Sequence, residues 1–141
     1  MDVLTAEQRR FNMSRIRGRD TAPELLIRRA LHAKGFRYRL HDRRLPGRPD
    51  LVFPKYRAVI FIHGCFWHGH DCHLFKWPST RKEFWKAKIE RNRERDDSAI
   101  RKLQENGWRV LIVWECSLKG ARREPLQRVL ADCVRFLGGG S

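Results

Sequence analysis

At 141 residues with 41% hydrophobic content, the chain is sized for one domain around one core and is too apolar to be disordered. Its longest apolar runs, Ala58 to Ile62 and Val110 to Trp114, are far short of a membrane span, and the N-terminus opens polar with no signal-peptide core, so a cytoplasmic protein without a membrane partner is expected. With 31 Lys plus Arg against 16 Asp plus Glu, the net charge of +15 strains a compact state unless an anionic partner such as nucleic acid relieves it, and five Trp with eight Phe offer faces on which bases stack.

In chain order, Thr5 to Arg17 reads as a basic helix. Thr21-Ala22-Pro23-Glu24 has the pattern of a capping box, opening a second helix from Ala22 to Lys34 that Gly35 stops. Phe36 to Leu40 alternates apolar with charged, as a half-buried strand does, and the loop Leu45-Pro46-Gly47-Arg48-Pro49 leads to a strand over Asp50 to Phe53. Ala58 to Ile62 is the next strand, followed by a Cys/His-rich loop to Pro78. Ser79 or Thr80 can cap a long helix running to Asn106, with Gly107 as its left-handed stop, before a last strand at Val110 to Trp114. Strand, helix and strand form a crossover unit, which predicts that these two strands are parallel neighbours in an α/β fold closed by a helix from Arg122 to Leu137. The Gly-rich tail Gly138 to Ser141 reads as a non-native remnant.

Residues 63 to 73 read HGCFWHGHDCH, four His and two Cys in one short loop, which no packing requirement explains. Cys65, His70 and Cys72 can supply three metal ligands. Cys116, just beyond the Val110 strand, can supply a fourth, because parallel neighbouring strands bring it to the same sheet edge as Cys65. Three thiolates and one imidazole suit a closed, structural Zn²⁺ site. The other possibility is a set of buried free cysteines; Cys133, alone on the last helix, reads as packing and is the rival for the fourth ligand position.

Asp50 opens an apolar strand, where a carboxylate has no packing purpose, although a turn-capping Asp would also fit there. His63 ends the next strand, His68 is not needed by the zinc set, and Asp96 lies on the long helix. From Trp85 to Asp96 is eleven residues, which returns to within roughly 20° of the same helix face. Asp96 thus joins the stripe of Ile89, Asn92, Ile100 and Leu103, whereas Asp97 turns outward. An Asp holding Mg²⁺, a His that orients or deprotonates water and a second acid that orients the His would make a phosphodiester hydrolysis site. Phe66, Trp67 and Trp85 suit either a base-stacking wedge or a cover over the zinc site. Arg15 and Arg17, among other arginines around Met13, make the first segment a phosphate clamp or a solvated helix face.

LPGRPD at 45 to 50, HGCFWH at 63 to 68, Cys72, ERD at 94 to 96 and GWRVLIVWEC at 107 to 116 together resemble the very short patch repair (Vsr) family of DNA mismatch endonucleases. The resemblance spans about residues 10 to 118 and implies a restriction-endonuclease-like fold, a central mixed sheet flanked by helices with a structural zinc site. It implies an Mg²⁺-dependent enzyme that nicks one strand on the 5′ side of the T in a T:G mismatch left by 5-methylcytosine deamination, initiating repair. Residue by residue, it makes Asp50 the metal-binding aspartate, His63 and His68 active-site histidines, Asp96 a second acid and Glu24 an acid near the site. Cys65, His70, Cys72 and Cys116 match the zinc ligands. Phe66, Trp67 and Trp85 fall where the family inserts aromatics beside the mismatch, and Met13 where the N-terminal segment reaches the minor groove. Ile62 stands where many members have Thr, a change of small effect if the residue offers Mg²⁺ its backbone carbonyl; Gly69 and Asp71 replace histidines of some members.

On this resemblance, residues 1–141 form one Vsr-like domain whose residues 1–19 contact DNA. The expected partners are T:G-mismatched duplex DNA and mismatch-repair proteins, met by a monomer in the bacterial cytoplasm near the nucleoid. A zinc-stabilised binding protein without catalysis and a restriction-type nuclease that cuts both strands are the competing functions. Asp50, His68 and Asp96 argue against the first, since phosphate binding alone needs none of them.

Overall fold

The computed structural model describes residues 21–72 and 74–138. The expected helix over Thr5 to Arg17, with Met13, Arg15 and Arg17, lies outside the described residues, as do 139–141 of the tail. Helix α1 spans Ala22–Ala33, strands β1 and β2 span Arg39–Leu40 and Leu51–Phe53, and β3 spans Ala58–His63. The long helix α2 covers Lys82–Glu105, β4 Arg109–Trp114 and α3 Leu126–Gly138. The four strands lie in the order β1-β2-β3-β4, antiparallel except for the parallel β3–β4 pair, which α2 connects as the crossover pattern requires. Among the described residues the result is a mixed four-stranded sheet with three α-helices.

The period-2 alternation of the strands sends two sets of side chains to opposite faces. Leu51, Phe53, Ala58, Ile60 and Val113 join Ile27 and Leu31 of α1 and Val129, Leu130, Cys133 and Leu137 of α3 in one core. Val52, Val59 and Phe61 meet Leu103 of α2 in the other. Covering both faces explains why β2 and most of β3 are buried without interruption. Cys133 is fully buried in the first core, so it is a packing residue and no rival for the metal set.

Four local expectations are corrected. Thr21 is the extended N-cap of α1 but makes no side-chain cap bond; Glu24, which would complete the box, turns instead to Arg28 and His41. The strand over Phe36 to Leu40 pairs only at Arg39–Leu40, and both of those side chains are exposed. Phe36 and Tyr38 anchor the segment by packing edge-on against Phe53, and the Tyr38 hydroxyl donates to the Arg28 carbonyl at 2.7 Å. Helix α2 begins after Arg81, in left-handed conformation at φ 55, and not from a Ser79 or Thr80 cap. Its C-terminal stop at Gly107, φ 85, is as expected. Helix α3 starts at Leu126 instead of Arg122, because the proline at 125 disfavours helical backbone at Glu124.

Gly47 brings the LPGRPD loop against α2: at φ 75, a Cβ there would stand 2.8 Å from that of Ala99. Gly69, at φ 60, brings the Cys/His loop equally close to Ile89 of the same helix. These two contacts draw the loops at the C-terminal end of β3 over one helix face.

Candidate active site and metal centre

The strand expected over Asp50 to Phe53 begins one residue later, at Leu51, so Asp50 stands immediately before β2 and faces the end of β3. Its Oδ2 accepts the Ile62 N–H at 2.7 Å. Glu24, carried by α1 and 1% exposed, takes Arg28 Nη1 at 2.6 Å and His41 Nε2 at 2.9 and 3.0 Å on its two oxygens. The same His41 nitrogen is 3.9 Å from Oδ1 of Asp50. Burial, with the Glu24 carboxylate adding to it against the pull of the Ile62 N–H, pushes Asp50 up to about 7. Each of these neighbouring carboxylates makes the other's charge more costly, a cost that a divalent cation would relieve.

His63 ends β3 and stacks on His68, ring centroids 3.8 Å apart and 2° from parallel. Burial, followed by the neighbouring His68, holds His63 down to about 3, so it is neutral over the physiological range. His68 Nδ1 lies 2.5 Å from Oδ2 of Asp96 on α2. The carboxylate accepts there, which fixes the tautomer and leaves Nε2 for other chemistry. Asp96 occupies the half-buried stripe with Asn92 and Ile100, and Asp97 is exposed, as the helical spacing predicts. One cleft of about 670 Å³ is lined by Asp50, Ile62, His63, His68 and Asp96 together with Arg43 and Arg48. Glu24 reaches it through His41, a residue that sequence reasoning missed. The signal was the hairpin register: Leu40 pairs with Leu51, which sets His41 opposite Asp50.

Beyond β3 and β4, Cys65, His70, Cys72 and Cys116 bring their donor atoms within 4.8 Å of one another. His70 Nδ1 and Cys116 Sγ are 3.6 Å apart, close to the roughly 3.5 Å expected of neighbouring donors on a tetrahedral zinc. Burial pushes the thiols of Cys65 and Cys116 up, so binding a cation here would release protons. The donor chemistry and spacing fit Zn²⁺, and no position in the four-ligand set remains for substrate.

Phe66, Trp67 and Trp85 form a triangle with ring centroids 5.2 to 5.8 Å apart. Trp85 is half-buried at the start of α2, not exposed as its position in the sequence suggests. Asn92 Nδ2 donates to the Trp67 carbonyl at 2.9 Å, tying the loop to the helix. A larger cleft of about 850 Å³ takes in Phe66, Trp67, Lys88, Asn92 and Arg95 as well as His63, His68 and Asp96, so Phe66 and Trp67 share a cleft with the histidines while Trp85 packs behind them.

Residues 1–74 match the family described as DNA mismatch endonuclease Vsr. The chain is 54% identical over 122 residues to the DNA mismatch endonuclease Vsr of Escherichia coli, covering 86% of this chain and 78% of that one. The chain belongs to the Vsr family. It is therefore a DNA endonuclease. The type II nicking enzymes V.XorIIP of Xanthomonas oryzae pv. oryzae and V.NmeAIP of Neisseria meningitidis are similar to it as well. The first is 47% identical over 131 residues, 92% of this chain and 96% of that one; the second is 44% identical over 133 residues, 93% and 95%. No helix among the described residues of this Vsr-family chain is long and apolar enough to cross a membrane.

Proposed function

We propose that this strand-nicking endonuclease acts on double-stranded DNA at a T:G mismatch, cleaving 5′ of the T with Mg²⁺ and so initiating very short patch repair. The observation that carries the reading is one cleft holding Asp50 and the His68–Asp96 pair, next to a second that shares His63, His68 and Asp96 and is bordered by Phe66 and Trp67. Asp50 and the Ile62 carbonyl would hold Mg²⁺; the Ile62 N–H already points to Asp50, and the carbonyl of a strand residue lies on the same strand edge. The Ile62 side chain packs on the core, so exchanging it for the Thr of other members leaves that carbonyl in place. When bound, Mg²⁺ would supply Lewis-acid stabilisation of charge on the phosphate. His68, oriented by Asp96, accepts a proton from the attacking water at Nε2. His63 holds the His68 ring parallel to its own, and Glu24 sustains the carboxylate pair with Asp50. Cys65, His70, Cys72 and Cys116 would keep the loop folded around Zn²⁺.

Phe66, Trp67 and Trp85 are read as a wedge at the mismatch, with Met13 in the minor groove and Arg15 and Arg17 on phosphates. Residues 1–141 would act as a single domain and a monomer, in the cytoplasm, with mismatch-repair proteins as further partners. The decisive experiment follows both strands of labelled duplexes that differ only in one T:G or T:A pair, incubated with Mg²⁺. Nicking of the T strand of the T:G duplex alone supports the reading. Cleavage of both strands supports a restriction-type nuclease, and binding without cleavage a zinc-stabilised binding protein.

The nicking-enzyme names of the Xanthomonas and Neisseria relatives favour one refinement. The sequence flanking the mismatch would differ among members, and so belongs to a separate series of duplexes.

A further inference from the structure

His41 has no part in the chemistry proposed above, yet its position is tightly held. It is a non-glycine residue in left-handed backbone, φ 46, a conformation that carries a steric cost for a side chain. Its N–H donates to the Asp50 carbonyl at 3.1 Å, which locks the turn at the end of β1. That turn delivers Nε2 to a point 2.9 and 3.0 Å from the Glu24 oxygens and 3.9 Å from Asp50 Oδ1. The other oxygen of Asp50 is engaged by Ile62, so Oδ1 is the one that faces the imidazole. One donor atom from each of Glu24, His41 and Asp50 lies within 4.8 Å of the others. Donors around a six-coordinate cation at about 2.1 Å stand roughly 3 to 4 Å apart, so the three already have the spacing of a shared ion.

We propose that His41 Nε2, together with Glu24, is a further direct ligand of the divalent cation held by Asp50, and that this nitrogen makes the site bind Mn²⁺ more tightly than Mg²⁺. The proposal rests on the reading of Asp50 as a cation ligand. An all-oxygen set suits Mg²⁺, whereas a nitrogen donor gains more from a first-row transition cation. Binding requires an unprotonated Nε2, so the ring coordinates as the tautomer with its proton on Nδ1, and its hydrogen bond to Glu24 gives way to shared coordination of the cation.

The test uses the full chain with Zn²⁺ in its thiolate set and no DNA, titrated calorimetrically with Mn²⁺ alone and with Mg²⁺ alone. The Mn²⁺ sample is then examined by electron spin echo modulation for a directly bound ¹⁴N. Mn²⁺ is expected to bind about tenfold more tightly than Mg²⁺ with one nitrogen coupling, and His41→Gln to remove the coupling and most of the preference. A coupling that persists in His41→Gln, an unchanged preference, or no Mn²⁺ binding overturns the proposal. If His41→Gln does not fold, a His63→Gln/His68→Gln double variant decides: the coupling must survive there, and its loss overturns the assignment. Nicking of a T:G duplex in Mg²⁺ is scored separately. Nitrogen coupling without nicking refutes the proposed reaction and leaves the cation site standing, whereas nicking without coupling does the reverse.

Discussion

Trp114 lies flat against His70, ring centroids 3.9 Å apart and 8° from parallel, and meets His63 edge-on at 5.2 Å. A single indole therefore separates the Cys/His metal set from the stacked histidines of the cleft. Emptying the proposed zinc site, or replacing Cys116, is expected to release His70 and with it one wall of the Trp114 site. Trp114→Leu is expected to lower kcat about tenfold or more while changing KM little, because small misplacements of reacting groups are costly to rate. Trp114→Phe is expected to recover part of the loss. Single-turnover nicking together with DNA-binding titrations checks this; an equal fall in affinity would make Trp114 a binding residue.

The chemistry assigned to the two ends of the cleft separates in mutants. Asp50→Ala is expected to abolish Mg²⁺-dependent nicking and leave duplex binding within a few-fold, since the role proposed for this carboxylate is to anchor the cation and not to touch bases. His68→Ala and Asp96→Asn are expected to slow the chemical step about a hundredfold or more, the usual scale of general-base loss. Their effects in combination fall well short of the product, because Asp96 acts through His68. Multiplicative losses in the double variant would show two independent functions.

Acid stability separates two buried groups of opposite sign. His63 is held down to about 3 from its ordinary 6.5, so the folded state binds fewer protons than the unfolded one in that window. Its contribution is fully present above 6.5 and is lost as pH falls toward 3. Asp50 is pushed up to about 7 from 3.8, so its contribution is fully present below 3.8 and is lost as pH rises through 7. Denaturant unfolding without added Mg²⁺ is expected to show the stability advantage of wild type over His63→Asn shrinking as pH falls from 6.5, by up to roughly 1 kcal/mol per unit. The difference from Asp50→Asn is expected to run the other way, and Mg²⁺, by holding the carboxylate ionised, to flatten it. Parallel curves for the two variants would contradict both assignments.

Local rules made the parallel β3–β4 pair, the inward face of Asp96 and the meeting of Cys65 with Cys116 legible in the sequence, because each depends on a period or a single crossover. His41 was not legible, because its place depends on the register of β1 against β2, and a two-residue exposed strand carries too little pattern to fix one. The capping box at Thr21 failed for a related reason. Glu24 satisfies the local motif, but the half-buried Arg28 and His41 compete for its carboxylate and win. Similarly, Ser79 and Thr80 are good caps left exposed, and α2 begins after Arg81 in left-handed backbone instead.

The aromatic triangle gives the last prediction, on substrate choice. Phe66 is stacked on Phe75 at 5.8 Å, and Phe75 meets Trp77, 51% exposed, edge-on at 4.9 Å, so the cluster is braced from behind and presents Phe66 and Trp67 to the cleft. Prying a base step apart takes a few kcal/mol, less where the pair is already weak, so a rigid wedge turns local duplex instability into selectivity. Phosphate contacts made by the +15 surface treat matched and mismatched duplexes alike. Trp67→Ala and Trp85→Ala are therefore expected to reduce the T:G over T:A preference in nicking by about tenfold each, with a smaller loss of general DNA affinity and an unchanged salt dependence. Because Trp67 is also tied to α2 through Asn92, Asn92→Ala is expected to reproduce part of its effect. If both Trp variants weakened binding to the two duplexes equally and kept the preference ratio, the aromatics would be a cover over the metal centre and selectivity would have to come from direct contacts to base edges.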